Sequence, residues 1–280
     1  MGAGRLFALA AAFFFASAAY CEVKWNNLDD SRRLGGRKVS EGYLQGKVVM
    51  VVRLNAASAR CNDVLAKAEE VWRNFKSKPF VMLGSGQMDS ASPSEMRSLI
   101  EENLVSFPVY EEAALAVEGL QAKKAPYFYV VNPLGKIIYS GAKEHYALQA
   151  VVIGLTDLAS PRNADQLKRF LEYEIAELPA SAHLRLKILR EKDPGAAAPY
   201  EEQWRKLDSD VQVRKVSRIV EVVKRLKDFA PRMPADARRY PAKVKEALLR
   251  FSNIKDITDP RLVREAKNSI AELKWLEASL

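Results

Sequence analysis

The stretch Lys47-Val-Val-Met-Val-Val-Arg-Leu54-Asn-Ala-Ala-Ser-Ala-Arg-Cys61 decides the fold. Its first half is a run of β-branched and apolar residues with no alternation, the pattern of a strand buried on both faces. After the short polar break, Val64, Leu65, Ala68, Val71, Trp72 and Phe75 recur at helical spacing. A buried strand feeding a helix is the opening of an α/β unit, because a parallel sheet needs such a crossover to return the chain. Trp72 and Phe75 fall on the apolar face and are expected in the core.

Working outward, the same grammar continues to about Leu158. Phe80-Val-Met-Leu83 reads as a second strand. Ser92-Pro93-Ser-Glu95 opens a helix, with the proline suited to a first turn. Tyr127-Phe-Tyr-Val-Val131 and Lys136-Ile-Ile-Tyr139 read as strands joined by the turn Asn132-Pro-Leu-Gly135. Ala147 to Leu158 closes this half as an amphipathic helix. The order β-α-β-α-β-β-α predicts a layered α/β domain with a mixed sheet over residues 20–158.

From about Pro161 the strand signals stop. Helical spacing marks Leu167–Leu178, Val213–Leu226 and Pro241–Phe251. Asp259-Pro260 caps a last helix whose apolar face carries Val263, Ala266, Ile270, Leu273 and Leu276. Asp193–Pro199 and Ala230–Pro234 read as breaks. Residues 161–280 are therefore expected to form an all-α helical bundle domain. It holds 26 Lys and Arg against 19 Asp and Glu, so most of the chain's net charge of +9 sits here. The helix bearing Arg214, Lys215, Arg218, Lys224, Arg225 and Lys227 presents a basic face. A solvated face is the plain reading, and an acidic partner or anionic surface the functional one.

The N-terminus reads as an address. Arg5 precedes Leu6–Ala19, an apolar run closed by small residues, as in a secretory signal peptide over residues 1–19. A run of 14 residues is shorter than the roughly 20 that span a bilayer. The mature chain is thus expected to be exported, periplasmic or secreted, with no transmembrane segment and no nucleic-acid partner. Tyr20 is too bulky for the small residue that precedes a lipidated cysteine at Cys21. With 280 residues, 48% of them hydrophobic, the chain has the composition of one or two globular domains. Two cysteines and two histidines exclude a disulfide-dense scaffold and a four-cysteine zinc site, and no metal or cofactor is expected.

Cys61 is the chemical candidate. A thiol in the first turn of a helix lies near unpaired N–H groups, which favour thiolate, and Arg60 acts in the same direction. The competing reading is a small buried core residue. Ser58 is a good cap for the same helix. His145 reads as a helix-start surface residue, and His183 has no evident partner in the sequence.

Three stretches of the first half resemble the thioredoxin-like superfamily, in particular its exported thiol-disulfide reductase and redoxin branch. Tyr43-Leu-Gln-Gly-Lys-Val-Val resembles the family's entry to the central strand. Ser58-Ala-Arg-Cys61 occupies the place of its Cys-x-x-Cys motif. Lys124-Ala-Pro126-Tyr-Phe-Tyr-Val-Val-Asn-Pro-Leu-Gly135 resembles its cis-proline segment and following hairpin. The resemblance implies a thioredoxin-like fold, with Ala125 and a cis Pro126 receiving extended substrate beside Cys61. It places Ser58 on the attacking cysteine and Cys61 on the resolving one, while Ala57 replaces the tryptophan that usually precedes the motif. An alcohol is not ionised near neutral pH and cannot take over the attack. The implied function is a protein-binding module or a single-thiol protein that forms a mixed disulfide with a protein or small thiol. Two alternatives remain at this point. One is a thiol-disulfide oxidoreductase or one-Cys peroxidase using Cys61, since peroxiredoxins carry Thr or Ser three residues before their reactive cysteine. The other is an interaction protein working through its basic helical domain.

Overall fold

The computed structural model describes Val23, Trp25 and residues 28–278, apart from 89–90, 113–123, 162 and 230–239. The signal segment 1–19, Cys21 and the break at Ala230–Pro234 lie outside the described residues. The chain divides into two compact units, one comprising residues up to Asn74 with Phe80–Gly154, the other Phe75–Pro79 with Leu155–Leu280.

The first unit is a six-stranded mixed sheet with helices. Its strands are β1 (Arg33–Gly35), β2 (Val48–Leu54), β3 (Phe80–Gly86), β4 (Val109–Glu111), β5 (Tyr127–Val131) and β6 (Ile137–Gly141), in the order β1-β4-β3-β2-β5-β6. Its helices are α1 (Glu41–Leu44), α2 (Ala59–Phe75), α3 (Pro93–Glu102) and α4 (Glu144–Ala159). The central strand β2 runs parallel to β3 and antiparallel to β5. All seven β2 residues are buried, which is why that segment shows no polar alternation.

The crossovers β2-α2-β3 and β3-α3-β4 step in the same direction across the sheet. Right-handed connections of that kind place both helices on one face. Accordingly, Glu69 of α2 accepts from Ser106 N–H at 2.8 Å and Ser106 Oγ at 2.7 Å in the loop after α3. On this face Trp72 packs against Phe80, ring centroids 6.2 Å apart. The opposite face carries Val49, Val51, Val81, Leu83, Tyr129 and Val131, packed with Val23, Trp25, Val39, Tyr43 and Leu44. Each of these buried aliphatics contributes about 1.5–3 kcal/mol.

Local signals act as read. Ser92 and Glu95 form a reciprocal capping box, with Pro93 at the first helical position. In the β5–β6 turn Asn132 Oδ1 accepts from Leu134 and Lys136 N–H, and Gly135 takes a φ of 75° that an L side chain would strain. Two strands were not anticipated. β1 and β4 have three residues each, too few for a period to register.

The second unit is helical: α5 (Ala164–Glu177), α6 (Pro179–Lys192), α7 (Glu201–Ser209), α8 (Val211–Phe229), α9 (Tyr240–Phe251) and α10 (Pro260–Ala278). Leu171, Leu186, Val216, Ile219, Val244 and Leu273 are among the residues of one continuous core. The expected break at Asp193–Pro199 contains helical turns at Pro194–Ala197 and Ala198–Tyr200, because Asp193 caps them by accepting from Ala196 N–H at 3.0 Å. Lys227 departs from the anticipated basic face. It is buried between α8 and α10 and pairs with Glu272 at 2.8 Å.

The start of α6 has no cap of its own, since Leu178 supplies no side-chain acceptor. Glu265 of α10 fills that role from 84 and 85 residues away, accepting from Ala180 N–H at 2.8 Å and from Ser181 N–H at 3.1 Å and Oγ at 2.7 Å. Burial pushes its carboxyl up to about 7, against the opposing pull of those three hydrogen bonds.

Candidate functional site

One end of the β-sheet gathers the sequence-predicted site residues of the first unit. Arg53 of β2 pairs with Tyr127 of β5, so the chain leaving β2 at Leu54 and the chain entering β5 at Pro126 share that end. In parallel sheets this C-terminal end is where ligand sites form. The Ala125–Pro126 bond is cis, as the resemblance implied. Gln87, just past β3, ties the two loops together. Its N–H donates to Leu54 O at 2.8 Å, and its side-chain oxygen accepts from Ala125 N–H at 3.0 Å. Gln87 is buried, and nothing in its sequence surroundings singled it out.

The β2–α2 join is shaped by Asn55. Its side-chain oxygen accepts from Ala57 N–H at 2.9 Å, an Asx turn that bends the chain out of the sheet. Ser58 follows as the residue before the helix, half-buried, with its carbonyl accepting from Cys61 N–H at 2.8 Å. Arg60 is exposed. Cys61 is the third residue of α2, and its side chain turns inward. It is 0% exposed and a free thiol, and its sulfur accepts from Asn55 N–H at 3.3 Å. Of the two readings of this cysteine, burial is the one observed. The thiol nonetheless keeps one feature of a chemical site, a backbone donor aimed at the sulfur near a helix N-terminus.

Pro126 is buried, Ala125 half-buried and Lys124 exposed. Arg53 is the one charged residue of β2 and is almost completely buried, bonded through Nη2 to Glu112. It lies on the sheet face of Val49 and Val51, in register with Tyr127. Tyr129, next on that face, has its phenol raised by burial. A lone arginine ending an apolar strand is the signal by which this half-buried pair was open to sequence reading. Among the described residues no three His, Cys, Asp or Glu side chains converge in a way that could hold a metal ion. No helix among them is long and apolar enough to cross a membrane.

His145 stands in the first turn of α4, exposed, against Tyr146. His183, in the helical unit, is buried and does have partners. Its Nε2 lies 3.0 Å from Asp208 Oδ1, and its ring stacks on Trp204 at 4.7 Å. Those partners sit 21 and 25 residues further along the chain, beyond the reach of local pattern.

No protein-family model matches the chain, and no curated protein matches it. Solved structures do. A thiol-disulfide isomerase from Corynebacterium glutamicum aligns at 17% identity and a TM-score of 0.37, covering 46% of this chain and 92% of the other. The thioredoxin domain of a Bacteroides vulgatus thiol-disulfide oxidoreductase aligns at 19% identity and TM-score 0.38, covering 50% and 99%. A secreted Mycobacterium tuberculosis disulfide oxidoreductase aligns at 16% identity and TM-score 0.36, covering 45% and 99%. The mixed sheet with β2 and β3 at its centre, the helix that starts beyond β2 and the cis-proline entry to β5 give the first unit a thioredoxin-like fold.

Proposed function

We propose that this chain is an exported thioredoxin-like protein whose first unit binds extended protein segments at the cis-proline end of its sheet and lacks dithiol catalysis. The observation that carries the reading is the disposition of Ser58 and Cys61. The outer position holds an alcohol, and the sulfur three residues on has no exposed surface. A thiolate must reach a disulfide along its axis to exchange with it, and this one is covered. An extended segment instead needs a shaped edge, and supporting that role are a cis Ala125–Pro126 bond and the Gln87 side chain, which fixes the loop by accepting from Ala125 N–H. Export rests on the composition of residues 1–19.

A second reading, a single-thiol redox protein or peroxidase acting through Cys61, draws on the Asn55 N–H directed at the sulfur. It requires the turn at Asn55–Ser58 to open before each reaction.

The two readings separate in one pair of assays. The wild-type protein is expected to leave insulin disulfides intact, while Ser58→Cys gains dithiothreitol-driven insulin reduction. The Cys61 N–H to Ser58 O turn brings the two positions within the span a disulfide requires. Cys61→Ser is expected to keep native peptide capture. Turnover of insulin by the wild type, or loss of capture in Cys61→Ser, overturns the proposal.

A further inference from the structure

Independently of the first unit, the helical unit contains a groove of about 660 Å³ between α6, α7 and α8. Its floor is His183 stacked on Trp204, their planes 12° apart. The Arg190 guanidinium lies 4.8 Å from the same indole. His183 is 7% exposed, and its Nδ1 is buried with no hydrogen-bond partner while Nε2 meets Asp208. A buried polar atom left without a partner is costly and is a feature that binding sites retain.

The charges around this floor are unequal in their partners. Among the lining carboxylates, Glu191 has no ion pair among the described residues and Asp208 meets the His183 imidazole. Glu201 is held by Arg190 at 3.2 Å and Arg205 at 3.5 Å. Glu221 is held by Arg225 at 2.6 Å. Three lining cations, Lys187 of α6 and Arg214 and Arg218 of α8, are exposed and have no carboxylate within ion-pair distance among the described residues. Arg214 donates only to the backbone oxygen of Asp208, at 2.8 Å. Arg214 and Arg218 are four apart on one helix, a spacing at which like charges repel. Lys187 faces the same space from α6 and adds to the repulsion. The lining holds four cations and four carboxylates; with Arg190 taken up by Glu201, and Glu221 taken up by Arg225 from outside the lining, Lys187, Arg214 and Arg218 stand against Glu191 and Asp208.

We propose that this groove binds a small polyvalent oxyanion, carrying phosphate or carboxylate groups, clamped by Lys187, Arg214 and Arg218. Guanidinium forks match such groups in paired hydrogen bonds. The groove's volume lies in the range of small-molecule sites, roughly 300–1,000 Å³, and a groove of this size suits a compact anion better than a flat lipid surface.

The test is isothermal titration of the full-length protein with inorganic pyrophosphate and, separately, with citrate, both in about 0.15 M chloride so that weak screening-sensitive contacts are suppressed. Saturable one-site binding of either probe is expected, and the probe that binds identifies the phosphate or the carboxylate chemistry. Arg214→Gln and Arg218→Gln are each expected to weaken it about tenfold or more. Arg205→Gln removes the same charge outside the clamp and is expected to change it by less than about twofold. All three side chains are exposed, so these variants should fold, and circular dichroism checks that they do. No saturable binding of either probe, or equal weakening by Arg205→Gln, overturns the proposal.

Discussion

Replacing Glu265 with Gln should change how the stability of the helical unit depends on pH. In the folded chain this carboxyl keeps its proton up to about pH 7, against 4.5 for its unperturbed value. Between those limits the folded state binds a proton that the unfolded state has released, so stability falls as pH rises. The contribution is fully present below about pH 4.5 and is lost as pH climbs through about 7. The difference corresponds to roughly 3 kcal/mol across the window, the three hydrogen bonds already offsetting part of the burial. Glutamine has similar size and keeps one oxygen for Ser181 while its NH2 faces Ala180 N–H, so absolute stability falls, but it cannot titrate, and the pH slope isolates the carboxyl. Urea unfolding of the full-length protein at intervals from pH 4.5 to 7.5, followed by tryptophan fluorescence, gives the slope. The slope for the wild type minus that for Glu265→Gln should be negative and confined to this window. The carboxylates held low by their partners, Asp29, Asp30, Glu95, Asp256 and Asp259, act at lower pH and with the opposite sign. Identical slopes in the two proteins would refute the reasoning.

Two other perturbations probe the packing. Lys227→Met leaves Glu272 buried without its cation and should cost about 3–5 kcal/mol, whereas Lys227→Met with Glu272→Met should recover most of that; urea midpoints of the single and double variants give the comparison. Gln87→Ala removes the acceptor for Ala125 N–H and should cost about 1–3 kcal/mol, with faster amide exchange at Ala125 measured by nuclear magnetic resonance.

How much of this was legible in the sequence follows the range of the interactions. The apolar run 48–54, the Asn132–Gly135 turn, the Ser92 cap and the Asp259–Pro260 helix start are local devices, and each reads directly from neighbouring residues. The cis bond before Pro126 was legible only through the resemblance, because no local rule separates it from a trans proline at a strand start. What escaped joins residues far apart. Glu265 caps a helix that begins more than eighty positions earlier, and Lys227 looked solvent-facing because its partner Glu272 is on another helix. Gln87 and the His183–Asp208 pair are of the same kind. The inward turn of Cys61 also depended on tertiary structure, since its third place in α2 suits both a buried and an exposed thiol. Its zero exposure, with the Asn55 N–H directed at the sulfur, decides between them.

The central claim, that Ser58 stands where an attacking thiol would and that Cys61 is covered, is tested most directly by the alkylation rate of Cys61. Iodoacetamide labelling of the native protein, read by mass spectrometry over pH 5–9, should be slower than labelling of the urea-unfolded chain by a factor of about 100 or more, as expected for a sulfur reached only through transient opening. Native labelling as fast as that of the unfolded chain, with an apparent pKa well below about 8.5, would contradict the account.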